Sequence, residues 1–139
     1  MARTTFNGPV ASQNGFISGH EVGTANAINS TATATVAQVA SGYITSTSAS
    51  ATTITLPTGT ALGNAIGATK GTVLDLYIDN TGGSNAVTIA VNTNAILSTA
   101  AADSSGSFGD LTVAAGATGL ARYTLMFSSP TAYVFTRTA

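Results

Sequence analysis

The stretch TVLDLYID, residues 72–79, decides the fold of this chain. Leucine and isoleucine occupy positions 74, 76 and 78, whereas the odd positions carry Val73, Asp75, Tyr77 and Asp79. A period of two is typical of a β-strand with one buried face, because successive side chains point to opposite sides of the backbone. We therefore expect a strand here, with its Leu/Ile face in the core.

The residues that follow predict a turn and a second strand. Residues 80–85 read NTGGSN, which is turn chemistry, and residues 86–91 (AVTIAV) return to a strand pattern. The sequence thus predicts a β-hairpin over residues 72–91. Oxygen ligands at Asp79, Asn80, Ser84 and Asn85 would suit Ca²⁺, but the spacing and final Glu of an EF-hand are missing. An Asx-type turn is the interpretation that we favour.

Further short strands are expected on both sides of this stretch. Bounded β-branched or alternating runs predict them at Thr31–Ala40, Tyr43–Thr47, Thr52–Leu56, Ala95–Ser98, Asp110–Val113, Leu120–Ser128 and Ala132–Arg137. Leu62 and Ile66 within Gly59–Thr69 favour one or two helical turns. Strands of this length and spacing predict an all-β fold, an antiparallel β-sandwich or jelly roll with at most one short helix.

Residues 1–30 differ from the rest of the chain. They contain four glycines and two Asn-Gly pairs, and their large apolar residues follow neither the strand nor the helix period. We interpret residues 1–30 as an extended N-terminal arm, with residues 31–139 as the β-sandwich body. The arm residues expected to contact a neighbouring subunit or another protein of an assembly are Arg3, Phe6, Val10, Phe16, Ile17 and His20.

The composition excludes several classes of protein. Four Lys and Arg in 139 residues cannot neutralise many phosphates, which argues against nucleic-acid binding and against a basic membrane-surface helix. Cysteine is absent, and no apolar run reaches the length of a membrane span or a secretory signal. We expect synthesis in a cytoplasm. The formal net charge of −1 favours association, since weakly charged surfaces repel one another little.

No catalytic constellation is visible. The chain has one His and one Glu, adjacent at His20-Glu21, and Asp75 and Asp79 lie ~13 Å apart if both are on one strand. We expect no enzymatic activity, no metal and no cofactor. Tyr43 and Tyr77 are possible exposed contacts, and nearby Asp and Asn residues would make them a candidate glycan site, although the absence of Trp counts against it.

A set of short motifs extends over residues 36–138, about three quarters of the chain. The motifs are Thr55–Thr58 (TLPT), Ala65-Ile66, Gly71, Asn80–Gly82 (NTG), Val87-Thr88, Thr112–Gly116 (TVAAG) and Ser128–Ala132 (SSPTA). With these motifs the chain resembles small tailed-phage virion proteins that decorate the head or form its short fibres. Leu76 replaces the Phe that the family pattern favours, and the polar stretch Ser98–Gly109 is additional.

The resemblance implies a capsid decoration (cement) protein on the outer surface of a phage head. It implies the major capsid protein as a partner and self-association, with a homotrimer favoured and a dimer next. The first alternative is a receptor- or glycan-binding module of a fibre or spike. The second is a jelly roll that forms the shell itself, for which the chain is short and has few charges.

Overall fold

The computed structural model describes residues 26–97 and 111–139. Strands dominate these ranges, with two short helices and one 3₁₀ turn at Gly116–Thr118. The strands are β1 (Ala32–Thr33), β2 (Tyr43–Thr45), β3 (Thr52–Thr55), β4 (Val73–Asp79), β5 (Val87–Ala90), β6 (Ala95–Leu97), β7 (Thr112–Val113), β8 (Leu120–Ser129) and β9 (Ala132–Arg137). The helices are α1 (Val36–Ala40) and α2 (Gly59–Ile66).

The strands form two sheets. One has the order β1-β3-β5-β7, and the other has the order β2-β4-β8-β9-β6. Strand β4 is antiparallel to β8, and β8 is antiparallel to β9, whereas β2 runs parallel to β4 and β6 parallel to β9. The four-stranded sheet is also mixed, since only its β5–β7 pair is antiparallel. The predicted β-rich fold is therefore confirmed, but the sheets are mixed rather than purely antiparallel.

The predicted hairpin over residues 72–91 is wrong. Both strands exist, but β4 pairs with β2 and β8 in one sheet, and β5 pairs with β3 and β7 in the other. The chain therefore crosses between sheets at residues 80–86. Side-chain alternation identifies a strand without identifying its neighbour, and here both edges of β4 are already paired.

Helix α1 corrects a second expectation. The alternation in Thr31–Ala40 predicts a strand, but only Ala32–Thr33 is one. Thr35 caps α1 with a complete capping box: its Oγ1 accepts from the Gln38 N–H at 3.2 Å, and Gln38 Oε1 accepts from the Thr35 N–H at 2.8 Å. Two backbone donors that a helix start leaves unpaired are thereby satisfied. The described chain thus has two helices rather than at most one.

The buried residues of both sheets belong to one hydrophobic core. Its aromatic part lies on β8 and β9, where Phe127 and Tyr133 have ring centroids 5.4 Å apart and Tyr123 packs edge-on against Phe135 at 6.3 Å. Tyr133 and Phe135 share one face of β9, and both are buried. The Tyr133 hydroxyl donates to the Pro57 carbonyl at 2.7 Å, which satisfies both groups inside the core.

Helix α2 confirms the helical turns expected within Gly59–Thr69. Its glycines, which lower helix propensity, allow a close approach to the turn between β8 and β9. A Cβ at Gly63 would lie 1.9 Å from the Pro130 carbonyl oxygen, and one at Gly59 would lie 2.5 Å from that of Thr131. Backbone contact with this turn therefore requires glycine at both positions.

The first described residues run beside β2. Ala27 pairs with Thr45 in a parallel bridge, and the Ile28 N–H donates to the Thr45 carbonyl at 2.9 Å. The side chain of Ile28 is buried in the core, and Asn29 Oδ1 accepts from the Thr47 N–H at 2.8 Å. Residues 26–29, at the end of the predicted arm, thus contact the body directly.

Candidate functional site

The predicted contact residues fall into two groups. Those of the arm (Arg3, Phe6, Val10, Phe16, Ile17 and His20) lie outside the described residues. Tyr43 and Tyr77 lie side by side, in register on the parallel strands β2 and β4. Both point away from the core and are 43% and 39% exposed. The structure therefore brings these two tyrosines together on one surface.

That surface is the outer face of the five-stranded sheet. We use this name for eleven residues of β2, β4, β8 and β9 that point away from the core: Tyr43, Val73, Asp75, Tyr77, Asp79, Leu120, Arg122, Thr124, Met126, Val134 and Thr136. Within the described ranges, five of the six exposed large hydrophobic residues lie on it, and the sixth is Val91 on the chain after β5. An exposed apolar patch with polar residues among it is typical of an interaction surface.

Strand register arranges the outer face in rows across the sheet. One row places Tyr43, Tyr77 and Arg122 on neighbouring strands. The next contains Asp75, Thr124 and Thr136. A third is apolar, with Val73, Met126 and Val134. Charged and aromatic groups thus occupy the middle of the face, with an apolar row beside them.

Asp79 is held by three hydrogen bonds at the edge of the face. Its Oδ1 accepts from the Thr81 hydroxyl at 2.6 Å and from the Thr81 N–H at 2.9 Å, while Oδ2 accepts from the Tyr43 hydroxyl at 2.5 Å. These bonds, that from the Thr81 hydroxyl foremost, lower the pKa of Asp79. The pKa of Tyr43 is raised, chiefly by its bond to Asp79. The Tyr43 ring is consequently anchored at its hydroxyl.

Asp75 and Arg122 lie on adjacent strands, yet each binds a threonine hydroxyl instead of the other. Asp75 Oδ1 accepts from the Thr124 hydroxyl at 2.6 Å, and Arg122 Nε donates to the Thr138 hydroxyl at 3.0 Å. The register makes the two residues diagonal neighbours, since Arg122 is opposite Tyr77 and Asp75 is opposite Thr124. The face therefore presents one carboxylate and one guanidinium group that are positioned but not paired with each other.

The residues considered as Ca²⁺ ligands do not bring their side-chain oxygens close together. Asp79 is on the outer face, whereas Asn80 is fully buried on the opposite side of the strand. Asn80 Nδ2 donates to the carbonyls of Asn85 and Ala114, both at 2.9 Å. The Thr81 N–H bond to Asp79 Oδ1 is the favoured Asx turn. These side chains therefore diverge and do not form a common site.

Neither a metal cluster nor a membrane-spanning helix occurs among the described residues. Within residues 26–97 and 111–139, no three His, Asp or Glu side chains cluster in a way that could hold a metal ion. In the same ranges, no helix is both long and apolar enough to cross a membrane.

The alternation in residues 120–127 also indicates residues of the outer face. Residues 120–127 (LARYTLMF) alternate as clearly as residues 72–79, so that Leu120, Arg122, Thr124 and Met126 share one side. Of this surface, the sequence pattern predicts only Tyr43 and Tyr77 as exposed contacts. Which strand lies beside which is what turns these separate positions into one surface.

Comparisons with known proteins give no further guidance: no family model, no curated protein and no solved structure matches this chain. What the chain does must be inferred from its own residues and from the motifs quoted above.

Proposed function

We propose that this chain is a structural virion protein, a decoration (cement) protein that binds the outside of a phage head and stabilises it. The observation that carries the proposal is the outer face of the five-stranded sheet, where exposed apolar and aromatic side chains lie together on one surface. Such a surface suits permanent assembly, because apolar area removed from water favours association. The protein is a binding component rather than an enzyme.

The sequence motifs of the resemblance support this proposal through their positions. Thr58 ends the TLPT motif and caps α2, with its Oγ1 accepting from the Ala61 N–H at 3.2 Å. The NTG motif starts the crossing between sheets, and the SSPTA motif forms the turn against which Gly63 packs. The motifs therefore fix connections of the fold, which we propose is a β-sandwich of jelly-roll type around the shared core.

In this proposal the two parts of the chain have different partners. The body self-associates, and the N-terminal arm, through Arg3, Phe6, Val10, Phe16, Ile17 and His20, binds the major capsid protein. A homotrimer is the state that the resemblance favours, with a dimer next. A lean core and a weakly charged surface both favour such assembly, since burial between subunits adds to stability.

The test is binding to phage heads that lack this chain. Purified chain should co-sediment with such heads and raise the temperature at which they release DNA. A variant without residues 1–25 should lose binding and keep its circular dichroism spectrum; the deletion stops there because Ile28 is buried in the core. If the full chain stays in the supernatant while folded, the proposal is wrong. Equal binding by the truncated variant would contradict the role of the arm.

A second candidate function is glycan binding, as in a fibre or spike module. The adjacent exposed rings of Tyr43 and Tyr77 favour it, since sugars stack on aromatic faces. Against it, Asp79 already accepts three hydrogen bonds from Thr81 and Tyr43, which leaves it few lone pairs for a sugar hydroxyl. A glycan array probed with folded chain would support this function only if binding were lost in Tyr77→Ala.

A further inference from the structure

The charges on the outer face point to its partner. Of the charged side chains in the described ranges, Asp75, Asp79 and Arg122 lie on this face, whereas Arg137 reaches the other sheet and donates to the Thr112 carbonyl at 2.9 Å. Asp79 is engaged by Tyr43 and Thr81. Asp75 and Arg122 therefore remain as one acidic and one basic group, each oriented by a threonine.

We propose that the outer face binds the same face of a second copy of this chain, with Arg122 of each subunit paired with Asp75 of the partner subunit. The inference rests on the proposed structural role and names the partner of its assembly surface. It favours the dimer over the trimer expected from the resemblance, because a face that pairs with itself is related by a two-fold axis.

The two-fold arrangement follows from the register. Diagonal neighbours on adjacent strands lie roughly 7–8 Å apart, and Arg122 and Asp75 are such neighbours. A two-fold axis in the contact plane, midway between these two residues, exchanges them. It therefore places each guanidinium opposite a carboxylate and makes the ion pair twice. A face with charges of one sign only would instead repel its own copy.

The apolar residues supply the area that such a contact needs. The five strands contain 3, 7, 10, 6 and 3 residues. At ~3.3 Å per residue along strands ~4.8 Å apart, they give a footprint of roughly 460 Å² per subunit. Two copies then bury about 920 Å², which is close to the ~1,000 Å² expected of a specific interface, so we expect a weak dimer. Val73, Tyr77 and Met126 would lie within this contact, and their present exposures of 57%, 39% and 52% would fall.

The experiment uses charge reversal and measures mass by light scattering. The full chain should have twice its monomer mass of 13.6 kDa. Arg122→Asp and Asp75→Arg should each weaken the dimer at least ten-fold, because each places two like charges opposite each other. An equimolar mixture of the two variants should regain the dimer, since one variant then supplies both carboxylates and the other both guanidinium groups. Lys70→Asp, with the same charge change at a residue that is not one of those defining the outer face, is the control.

Each other outcome counts against the inference. A monomeric full chain at 100 µM would overturn it, as would a dimer that both reversals leave intact. A mixture that stays monomeric while the full chain dimerises would place these charges outside the interface. If deletion of residues 1–25 abolished the dimer and neither charge reversal weakened it, that segment rather than the outer face would form the dimer contact. Binding to phage heads is measured separately, so a monomer that binds heads would refute the inference and leave the proposed function standing.

Discussion

The two faces of the five-stranded sheet are made by the same strands and have opposite roles. On β8, Tyr123, Leu125 and Phe127 are at most 1% exposed, whereas Met126, between two of them, is 52% exposed. Leu76 and Ile78 are buried on β4, and Tyr77 between them is 39% exposed. Large apolar side chains therefore occur on both sides, but those of the inner face are buried in the core, whereas Met126 and Tyr77 are exposed. The inner face stabilises the fold, and the outer face is available for assembly.

The largest contrast is expected between Phe127 and Met126. Phe127→Ala should lower the free energy of unfolding by about 3–5 kcal/mol, because it leaves a cavity beside Tyr133. Met126→Ser, one residue away, should change the monomer's stability by under about 0.5 kcal/mol. Urea unfolding of both variants, at concentrations where the chain is monomeric, measures the difference. Equal losses would contradict the assignment of the two faces.

The junction of the two sheets should be almost as sensitive. Asn80→Ala should cost about 3 kcal/mol, because it removes the side-chain donor to the carbonyls of Asn85 and Ala114 in a buried site. Asn80→Asp should be at least as damaging, since it places a carboxylate against those carbonyls. Thermal unfolding by calorimetry measures both losses. Asn85→Ala is the control, because it removes only an exposed hydrogen bond to the Ala49 carbonyl. A loss as large as that of Asn80→Ala would contradict the importance of the buried Asn80 amide.

A smaller effect separates the tyrosines of the two faces. Tyr133→Phe should cost about 1–2 kcal/mol, because the buried Pro57 carbonyl loses its donor. Tyr77→Phe on the outer face should leave unfolding unchanged and affect only assembly. Burial also raises the pKa of Tyr133, so its hydroxyl should stay protonated at a pH where an ordinary tyrosine ionises. Ultraviolet titration of the unaltered chain and of Tyr133→Phe measures this, and ionisation of Tyr133 at the pH of an ordinary tyrosine would contradict its burial.

The smallest expected effect is the pH dependence from Asp79. Its pKa is lower in the folded chain than the ordinary 3.8, mainly through the Thr81 hydroxyl. Its contribution to stability is thus present above pH 3.8 and is lost as the pH falls through the folded-state value. Because Asp79 is near the surface, we expect a few tenths of a kcal/mol. Asp79→Asn should reduce the slope of stability against pH below 4, and an unchanged slope would remove this role.

Local patterns predicted most strands and the buried face of β4, because alternation depends only on nearby residues. Local patterns did not predict which strands pair, since β4 and β5 are close in sequence but lie in different sheets. The capping box at Thr35 and Gln38 was a local signal outweighed by the Thr/Ala alternation. The candidate site could be predicted only in part for the same reason. Tyr43 and Tyr77 could be identified singly, but their placement beside Arg122, Leu120 and Met126 depends on strand order, which no short window encodes.

The most direct test of the outer face as an assembly surface is the light-scattering mass of mixed Arg122→Asp and Asp75→Arg variants. Each variant alone should have the monomer mass of 13.6 kDa, and the equimolar mixture should have twice that value. A mixture that stays at the monomer mass, under conditions where the unaltered chain is a dimer, would contradict the pairing of the outer face with itself.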